Sequence, residues 1–389
     1  MKILYVYKDY YPVVGGIENH IRLICRGLRR YPGVEPEVLV TNTASRTVVE
    51  EIDDVRVVKA ARLANVSSAP ISLSLFTWMR RLEADIVHLH FPYPIGELAY
   101  LLAGRGRKMV ISYHSDIVRQ KYLLQVYKPF LRRVLDRANL ITVSNPNYIK
   151  TSTYLRPLAG KCRVIPHGAD LARFAPTQEV LNRAAAIRRR YNSPLILFVG
   201  LLRYYKGLSY LIQAMSNVDA KLLVVGQGPQ GAEWQALSQT LGLGDKVVFL
   251  GRVSDEELLN LYHACDVFTL PSIHRSESWG AVQLEAMACG KPVVCTELGT
   301  GTSFVNLDGV TGLVVPPQDS AALADAINRL LADPNLRHRM GNAGQERARR
   351  ELSVETMVDN IVQMYRDVAG GLSPLRTPFG RRAGSEHNS

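Results

Sequence analysis

Residues 266–296 read DVFTLPSIHRSESWGAVQLEAMACGKPVVCT. A short apolar run, 266–271, gives way to a polar stretch. A nearly apolar segment follows from about Trp279 or Gly280 to Ala288, and a second apolar run occupies 292–296. Two short apolar runs flanking a helix-length segment are the pattern of parallel strands joined by a crossover helix. Cys289–Gly290 fits the helix's C-terminal cap, and Pro292 bars its continuation. Glu277 and Glu285 lie in this unit with seven residues between them. Eight residues of helix rise roughly 12 Å, too far for an adjacent acid/base pair. The two carboxylates instead mark two points along an extended ligand. Glu285 sits among apolar neighbours and needs a partner there, either a ligand hydroxyl or a buried Arg or backbone amide. The helix start at 278–281 offers free N–H groups to a phosphate.

The same alternation extends outward in both directions. Apolar runs at 194–200, 221–226 and 246–251 precede this unit, with helical segments between them. An earlier set lies at 3–7, 37–42, 85–90, 109–114 and 139–144, ending in CRVIPHGAD at 162–170. The pattern predicts an α/β protein of two doubly wound halves, 1–175 and 176–352, joined near 171–192. A final helix is expected over 353–369, packing back on the first half. The Gly-, Pro-, Ser- and Arg-rich tail, 370–389, reads as disordered. In open α/β sheets ligands bind at the carboxyl ends of the strands, so motifs at strand ends carry the functional weight.

Composition excludes several classes. With 389 residues, 47% hydrophobic and 21% charged, the chain is globular and long enough for two cores. No apolar run approaches the roughly 18–20 residues a membrane span needs. The start, MKILYVYKDYYP, reads as a buried strand rather than a signal peptide. Five scattered cysteines (25, 162, 265, 289 and 295) fit a reducing cytoplasm and no metal motif. Charge is uneven: Met1–Pro176 holds 26 Lys and Arg against 14 Asp and Glu, the whole excess of +12. A basic half can face nucleic acid, an anionic membrane or an acidic ligand, or it can simply be a solvated surface.

Other strand-end motifs carry chemistry. Gly15–Gly16 follows the first strand and opens a helix, where glycine admits a ligand to the backbone. His114 and Asp116 follow a strand in SYHSD, and His114 there can donate a hydrogen bond to a substrate. His88 and His90 alternate in VHLHF; they need not share a face and read as structural. Arg203 and Lys206, in FVGLLRYYKGL, suit a diphosphate: Arg grips two oxygens while Lys acts as a point charge. VGQGPQG at 225–231 is a tight strand-to-helix turn, neither a dinucleotide fingerprint nor a Walker loop.

Together these residues resemble the retaining nucleotide-sugar glycosyltransferases of the GT-B fold, family 4. The resemblance rests on E-x7-E followed by AMACGKPVV, on GGIE, HLHFP, SYHSD, VIPHGAD, GLLRYYKG, GQGP and GRVSDEEL, and on GVTGLVVPPQD at 309–319, in family order. It implies two Rossmann-like domains facing each other across a cleft that closes on the donor. It also implies a role for each matching residue. Glu285 holds the nucleotide ribose, and Glu277 the hydroxyls of the donor sugar. Arg203 and Lys206 hold the diphosphate and its leaving charge, and Gly16 lets the N-terminal loop approach it. His114 sits beside the sugar, the amides of Trp279, Gly280 and Ala281 cap oxygens, and Val253 in GRVSDEEL lies on the donor side. The family needs no metal or other cofactor; cations and a helix dipole supply the positive charge. The stereochemical expectation is retention by a front-face reaction, the departing diphosphate helping to deprotonate the acceptor.

The sequence departs from the family at three places. Trp279–Gly280 replaces Phe-Gly, and His167–Gly168 replaces Asn-Gly, leaving a role for His167 open. TELGTGTSFVNLDG (296–309) replaces the usual Gly-Gly-x-Pro-Glu segment near the sugar. This version looks more like bacterial surface-polysaccharide mannosyltransferases, which makes GDP-mannose the first-choice donor. A UDP-sugar-dependent glucosyl- or GlcNAc-type transferase is the alternative. So is a sugar phosphorylase or disaccharide-phosphate synthase on the same fold. The acceptor side is the basic first half, with a glycan or lipid-linked acceptor expected. Within 119–137, Lys121, Lys128 and Arg132 share one helical face, opposite Leu123, Leu124, Tyr127, Phe130, Leu131 and Val134. That segment is either a surface for an anionic membrane or a core helix with a wet basic face. A cytoplasmic protein, peripheral on the inner face of the membrane, is the matching expectation. Nucleic acid is not expected as a partner, because no recognition motif accompanies the charge.

Overall fold

The computed structural model describes residues 1–371 except 14, 67–68, 105–106 and 116–120, and only the backbone of 121–126. The chain divides into two compact units. One comprises Met1–Pro166 with the chain from Val358 on, and the other comprises His167–Met357. Each is a Rossmann-like α/β unit.

Among the described residues the first unit has ten strands: β1 (Lys2–Val6), β2 (Glu35–Thr41), β3 (Val48–Ile52), β4 (Val55–Ala60), β5 (Ala64–Val66), β6 (Ala69–Ile71), β7 (Ile86–Phe91), β8 (Lys108–Tyr113), β9 (Leu140–Val143) and β10 (Cys162–Val164). Eight form one sheet in the order β10-β9-β8-β7-β1-β2-β4-β3; β5 and β6 form a separate hairpin. Only β3 runs antiparallel in the large sheet, against β4. The chain leaves β1 in one direction and returns to its other side at β7. The reversal between β1 and β7 is the switch point where such sheets bind ligands.

The second unit has six strands: β11 (Leu195–Val199), β12 (Lys221–Val225), β13 (Val247–Gly251), β14 (Val267–Leu270), β15 (Val293–Thr296) and β16 (Gly312–Val315). They are all parallel, in the order β13-β12-β11-β14-β15-β16. Here the order reverses between β11 and β14. Successive side chains of a strand point to opposite faces, so each central strand feeds two cores. Ile196 and Phe198 pack with Leu208, Leu211, Ile212, Leu323 and Ile327. Leu195, Leu197 and Val199 pack on the other face with Tyr262, Leu284 and Met287. Two helix layers on a parallel sheet explain why these strands read as unbroken apolar runs.

The last helix, Val354–Ala369, holds to the first unit through polar as well as apolar contacts. Tyr365 is fully buried and its hydroxyl lies 2.5 Å from both the Tyr5 hydroxyl and His88 Nδ1. His88 Nε2 continues to Ser112 Oγ at 2.8 Å, and Ser112 to Thr142 Oγ1 at 2.8 Å. This chain of hydrogen bonds crosses four strands and satisfies both nitrogens of a buried ring. Burial pushes the His88 pKa down to about 3, so the ring is neutral, one nitrogen donating and the other accepting.

The helix Lys121–Arg137 buries Leu131 and Val134 and exposes Lys128 and Arg132. Asp116 and the 372–389 part of the tail lie outside the described residues, as do 119–120 and the side chains of 121–126. Among the described residues no helix is long and apolar enough to cross a membrane. The five cysteines are free thiols, all buried.

Replacing Tyr365 by Phe orphans a buried ring nitrogen and leaves the Tyr5 hydroxyl without its partner. A loss of about 1–3 kcal/mol is expected for each group left unsatisfied, read by urea unfolding. His88 also sets a pH signature. The unfolded ring binds a proton below the ordinary histidine value of 6.5 and the folded ring does not, so its stabilising contribution is lost as pH falls from 6.5 toward 3. Glu97 works the opposite way. Burial raises its folded pKa to about 7, so it favours folding as pH falls. The stability difference between wild type and His88→Asn cancels the Glu97 effect. It should shrink by about 2 kcal/mol from pH 7 to pH 5. A constant difference across that range contradicts a neutral buried His88.

Candidate active site

Two loops meet at the switch point of the second sheet. One follows β11, running through Gly200 to Gly207; the other follows β14, from Pro271 to Gly280. They are tied by Ile273 N–H donating to the Tyr205 carbonyl at 2.8 Å. Gly207 has φ +63°, and a Cβ there would lie 2.2 Å from the Pro271 oxygen. Only glycine fits both the backbone conformation and the approach.

This approach brings Lys206 and Glu277 together. Both are buried, and Lys206 Nζ lies 2.5 Å from Glu277 Oε2. The sequence reading assigns the two separately, one to a diphosphate and one to a sugar; the structure pairs them. Ser272 Oγ donates to the same carboxylate oxygen at 3.0 Å. The Glu277 backbone is fixed as well: its carbonyl accepts from Thr300 Oγ1 at 2.8 Å, and its N–H donates to the His274 carbonyl at 3.0 Å. Glu277 Oε1 makes no hydrogen bond among the described residues and remains available for a ligand hydroxyl. The segment 296–309 is therefore a brace under the loop: Gly301 N–H donates to the Ser278 carbonyl at 2.8 Å, and Thr296 Oγ1 to the Ser272 carbonyl.

The helix Ala281–Ala288 starts from Gly280 at φ +72°. In its first turn the Gln283 N–H donates to the Gly280 carbonyl at 2.9 Å. Gly280 is buried and Ala281 exposed. Trp279 is buried, its ring 5.2 Å from His167 and 6.0 Å from Phe304. Its indole Nε1 is buried with no hydrogen-bond partner among the described residues. Glu285, half-buried, accepts from the Tyr262 hydroxyl at 2.8 Å. The partner is thus a phenol, and neither a buried Arg nor a backbone amide. Burial raises the Glu285 pKa and the Tyr262 bond lowers it less, so this carboxylate is held at a cost. Tyr262 lies 23 residues before Glu285 and carries no sequence signal. Arg203 is exposed at the mouth of the β11 loop. Val253, after β13, packs against the core that holds Trp279 and Leu284.

The first unit carries a second constellation at its own carboxyl edge. The helix Gly16–Leu28 follows β1. Gly16 is exposed, with open space where a Cβ would sit. His114 follows β8, is buried, and lies with its Nε2 2.8 Å from His90 Nδ1. His20, on the helix after β1, meets His114 edge-on at 5.6 Å between centroids. His88 and His90 are stacked, with ring centroids 4.8 Å apart. The sequence expectation that they need not share a face is corrected here. Residues i and i+2 of a strand point the same way, so both rings lie on one side of β7. Among the described residues no group of three His, Cys, Asp or Glu is placed to hold a metal ion.

The chain matches two family models over most of its length: "Glycosyltransferase Family 4" over residues 14–173 and "Glycosyl transferases group 1" over 183–347. It is 38% identical to the D-rhamnosyltransferase WbpZ of Pseudomonas aeruginosa over 353 residues, 90% of this chain and 91% of the relative. It is 35% identical to the O-antigen chain mannosyltransferase C of Escherichia coli over 368 residues, 94% of this chain and 98% of the relative. Among solved structures, the sucrose-phosphate synthase of Thermosynechococcus elongatus superposes with a TM-score of 0.76 at 26% identity. That alignment covers 95% of this chain and 99% of the other. The chain belongs to the group 1, family 4 glycosyltransferases of GT-B fold.

Proposed function

We propose that the protein transfers a hexose with retention from a nucleotide sugar to a glycan or lipid-linked acceptor in cell-surface polysaccharide or glycolipid assembly. GDP-mannose is the first-choice donor, and no metal takes part. The observation that carries this reading is the buried Lys206–Glu277 pair beside Ser272 at the switch point between β11 and β14. A cation, an anion and a hydroxyl held rigidly at the carboxyl end of a parallel sheet suit a ligand that is part phosphate and part sugar. Glu277 Oε1 accepts from a sugar hydroxyl, and Lys206, with Arg203, faces the diphosphate. Glu285 accepts from the ribose. The helix start at Gly280–Ala281 directs N–H dipoles to the phosphates. His114 contributes a ring nitrogen to the sugar.

In the reaction the bond between the anomeric carbon and the diphosphate oxygen breaks. An acceptor oxygen bonds to the same face of that carbon. The acceptor's proton passes to the departing diphosphate, whose charge Lys206 and Arg203 stabilise. The names of the two relatives support a sugar of manno configuration. D-rhamnose is 6-deoxymannose, so a GDP-6-deoxyhexose donor is the second reading, and the two differ only at C6. The basic first unit and the exposed Lys128 and Arg132 favour an acceptor on an anionic membrane surface.

Thermal shift with GDP-, UDP- and ADP-sugars identifies the nucleotide, because a ligand that binds only the folded state raises Tm. GDP-mannose is expected to give the largest shift. No shift from any of them contradicts the donor site. Glu285→Ala should weaken donor binding by roughly tenfold, the loss of one charged hydrogen bond. Arg203→Ala should reduce kcat more than it raises KM.

Lys206 has a stability signature as well. Removing one partner of a buried ion pair strands the other charge, so Lys206→Met should cost about 3–5 kcal/mol. The double variant Lys206→Met/Glu277→Gln should recover much of that loss in urea unfolding. Equal destabilisation by the single and double variants shows the pair is not a charge-neutral unit.

A further inference from the structure

Glu285 is a half-buried carboxylate with little around it to hold a charge. Burial raises its pKa, and the Tyr262 bond is the largest effect that lowers it, ahead of Arg173. Arg173 is exposed and lies 3.5 Å from Asp255, so its charge is shared with another carboxylate. Asp255 in turn acts on Glu285 in the unfavourable direction. Among the described residues, the Tyr262 hydroxyl makes the one hydrogen bond to the Glu285 side chain, to Oε2 at 2.8 Å. Oε1 is left without a protein donor.

The phenol is itself fixed. Tyr262 is fully buried on the helix Asp255–Ala264. Its ring meets Phe174 edge-on at 6.2 Å and lies tilted against Phe268 at 5.8 Å. Its hydroxyl is also 3.5 Å from the Val282 carbonyl, in the first turn of the helix that carries Glu285. Burial and the Glu285 charge raise the Tyr262 pKa well above its ordinary value, so the phenol keeps its proton. A carboxylate has no proton to give, so the direction of the bond follows from the chemistry: Tyr262 donates and Glu285 accepts. The shorter, charge-assisted contact takes the proton in preference to the carbonyl.

We infer that Tyr262 is the positioning residue for Glu285, and that through this bond the protein tells a ribonucleotide from one without ribose hydroxyls. The inference rests on the reading of Glu285 as the ribose residue. By occupying Oε2, the phenol leaves Oε1 as the acceptor for a ligand hydroxyl. By stabilising the charged form, it makes that acceptor an anion, which forms the stronger kind of hydrogen bond. Without the phenol the carboxylate has no hydrogen bond to hold its rotamer. It is then free to turn or to take up a proton, and either change weakens the acceptor.

The test is titration calorimetry on the full chain. The probes are the nucleoside diphosphate selected by thermal shift, GDP in the expected case, and its dideoxy analogue, which lacks both ribose hydroxyls. The wild type should bind GDP about tenfold more tightly than the analogue, the worth of one charged hydrogen bond. Glu285→Ala should bind the two equally. A ratio that is absent from the wild type, or that survives in Glu285→Ala, shows the ribose assignment to be wrong and removes the inference with it.

With the ratio lost in Glu285→Ala, Tyr262→Phe decides the role of the phenol. It should lose most of the preference for GDP while binding the dideoxy analogue as before, and it should add nothing further to Glu285→Ala. A full ratio in Tyr262→Phe overturns the inference. So does equal weakening of both ligands, which is what a packing role produces. Para-aminophenylalanine in place of Tyr262 returns an N–H donor to the same place and should restore the ratio. This second variant also serves where Tyr262→Phe does not fold. A folded para-aminophenylalanine protein without the ratio overturns the inference as well.

Discussion

A buried lysine and a buried glutamate tolerate each other's company and little else. Each would cost several kcal/mol alone, and together they are acceptable only at contact distance in a fixed geometry. The second unit is organised around that requirement. Glycine at 207 lets the β11 loop reach the β14 loop, Ser272 takes up one side of the carboxylate, and Thr300 fixes the glutamate's backbone. The segment 296–309 is drawn in as a support for the loop. A stretch that differs from the family's usual sequence is therefore constrained by the loop it braces. Changes in it alter the position of Glu277.

The stretch 266–296 was legible because each of its signals is local. Strand, helix, cap and breaker all act within a few residues, and β14, the helix Ala281–Ala288, Gly290 and β15 fall where those signals place them. The site was legible only as a set of separate residues. Lys206 and Glu277 are far apart in the chain, and the turn of a parallel crossover that joins them leaves no periodic mark. Tyr262 is hidden for the same reason. It looks like one more buried aromatic until its hydroxyl is seen on Glu285. The histidines of VHLHF were open to a better reading, because a strand's period of two already puts both on one face.

The two units meet the problem of buried polarity in different ways. The second uses full charges in contact. Beside its Arg163–Asp367 ion pair, the first uses a neutral His88 ring with the hydroxyls of Tyr5, Tyr365, Ser112 and Thr142 in one chain. The sequence places the whole positive excess in Met1–Pro176, yet the buried ring at the centre of that hydrogen-bond chain, His88, carries no charge. The excess is a property of the surface, where it can attract an anionic acceptor without raising the cost of the buried network.

Glu277 and Glu285 show how partner choice divides one residue type between two tasks. Glu277 faces a cation, so its charge is balanced before any ligand arrives, and its free oxygen can act on a hydroxyl without first being desolvated. Glu285 faces a phenol that gives one hydrogen bond and no charge, and burial holds its pKa above the usual carboxylate range. A hydroxyl from a ribose would supply the second hydrogen bond that this carboxylate lacks. On the proposed assignment, part of the affinity for nucleotide would then come from relieving this cost. At Glu277 the charge is already balanced by Lys206. In the proposed reaction its contribution would fall on orientation of the sugar, so the two glutamates of E-x7-E would divide binding from positioning.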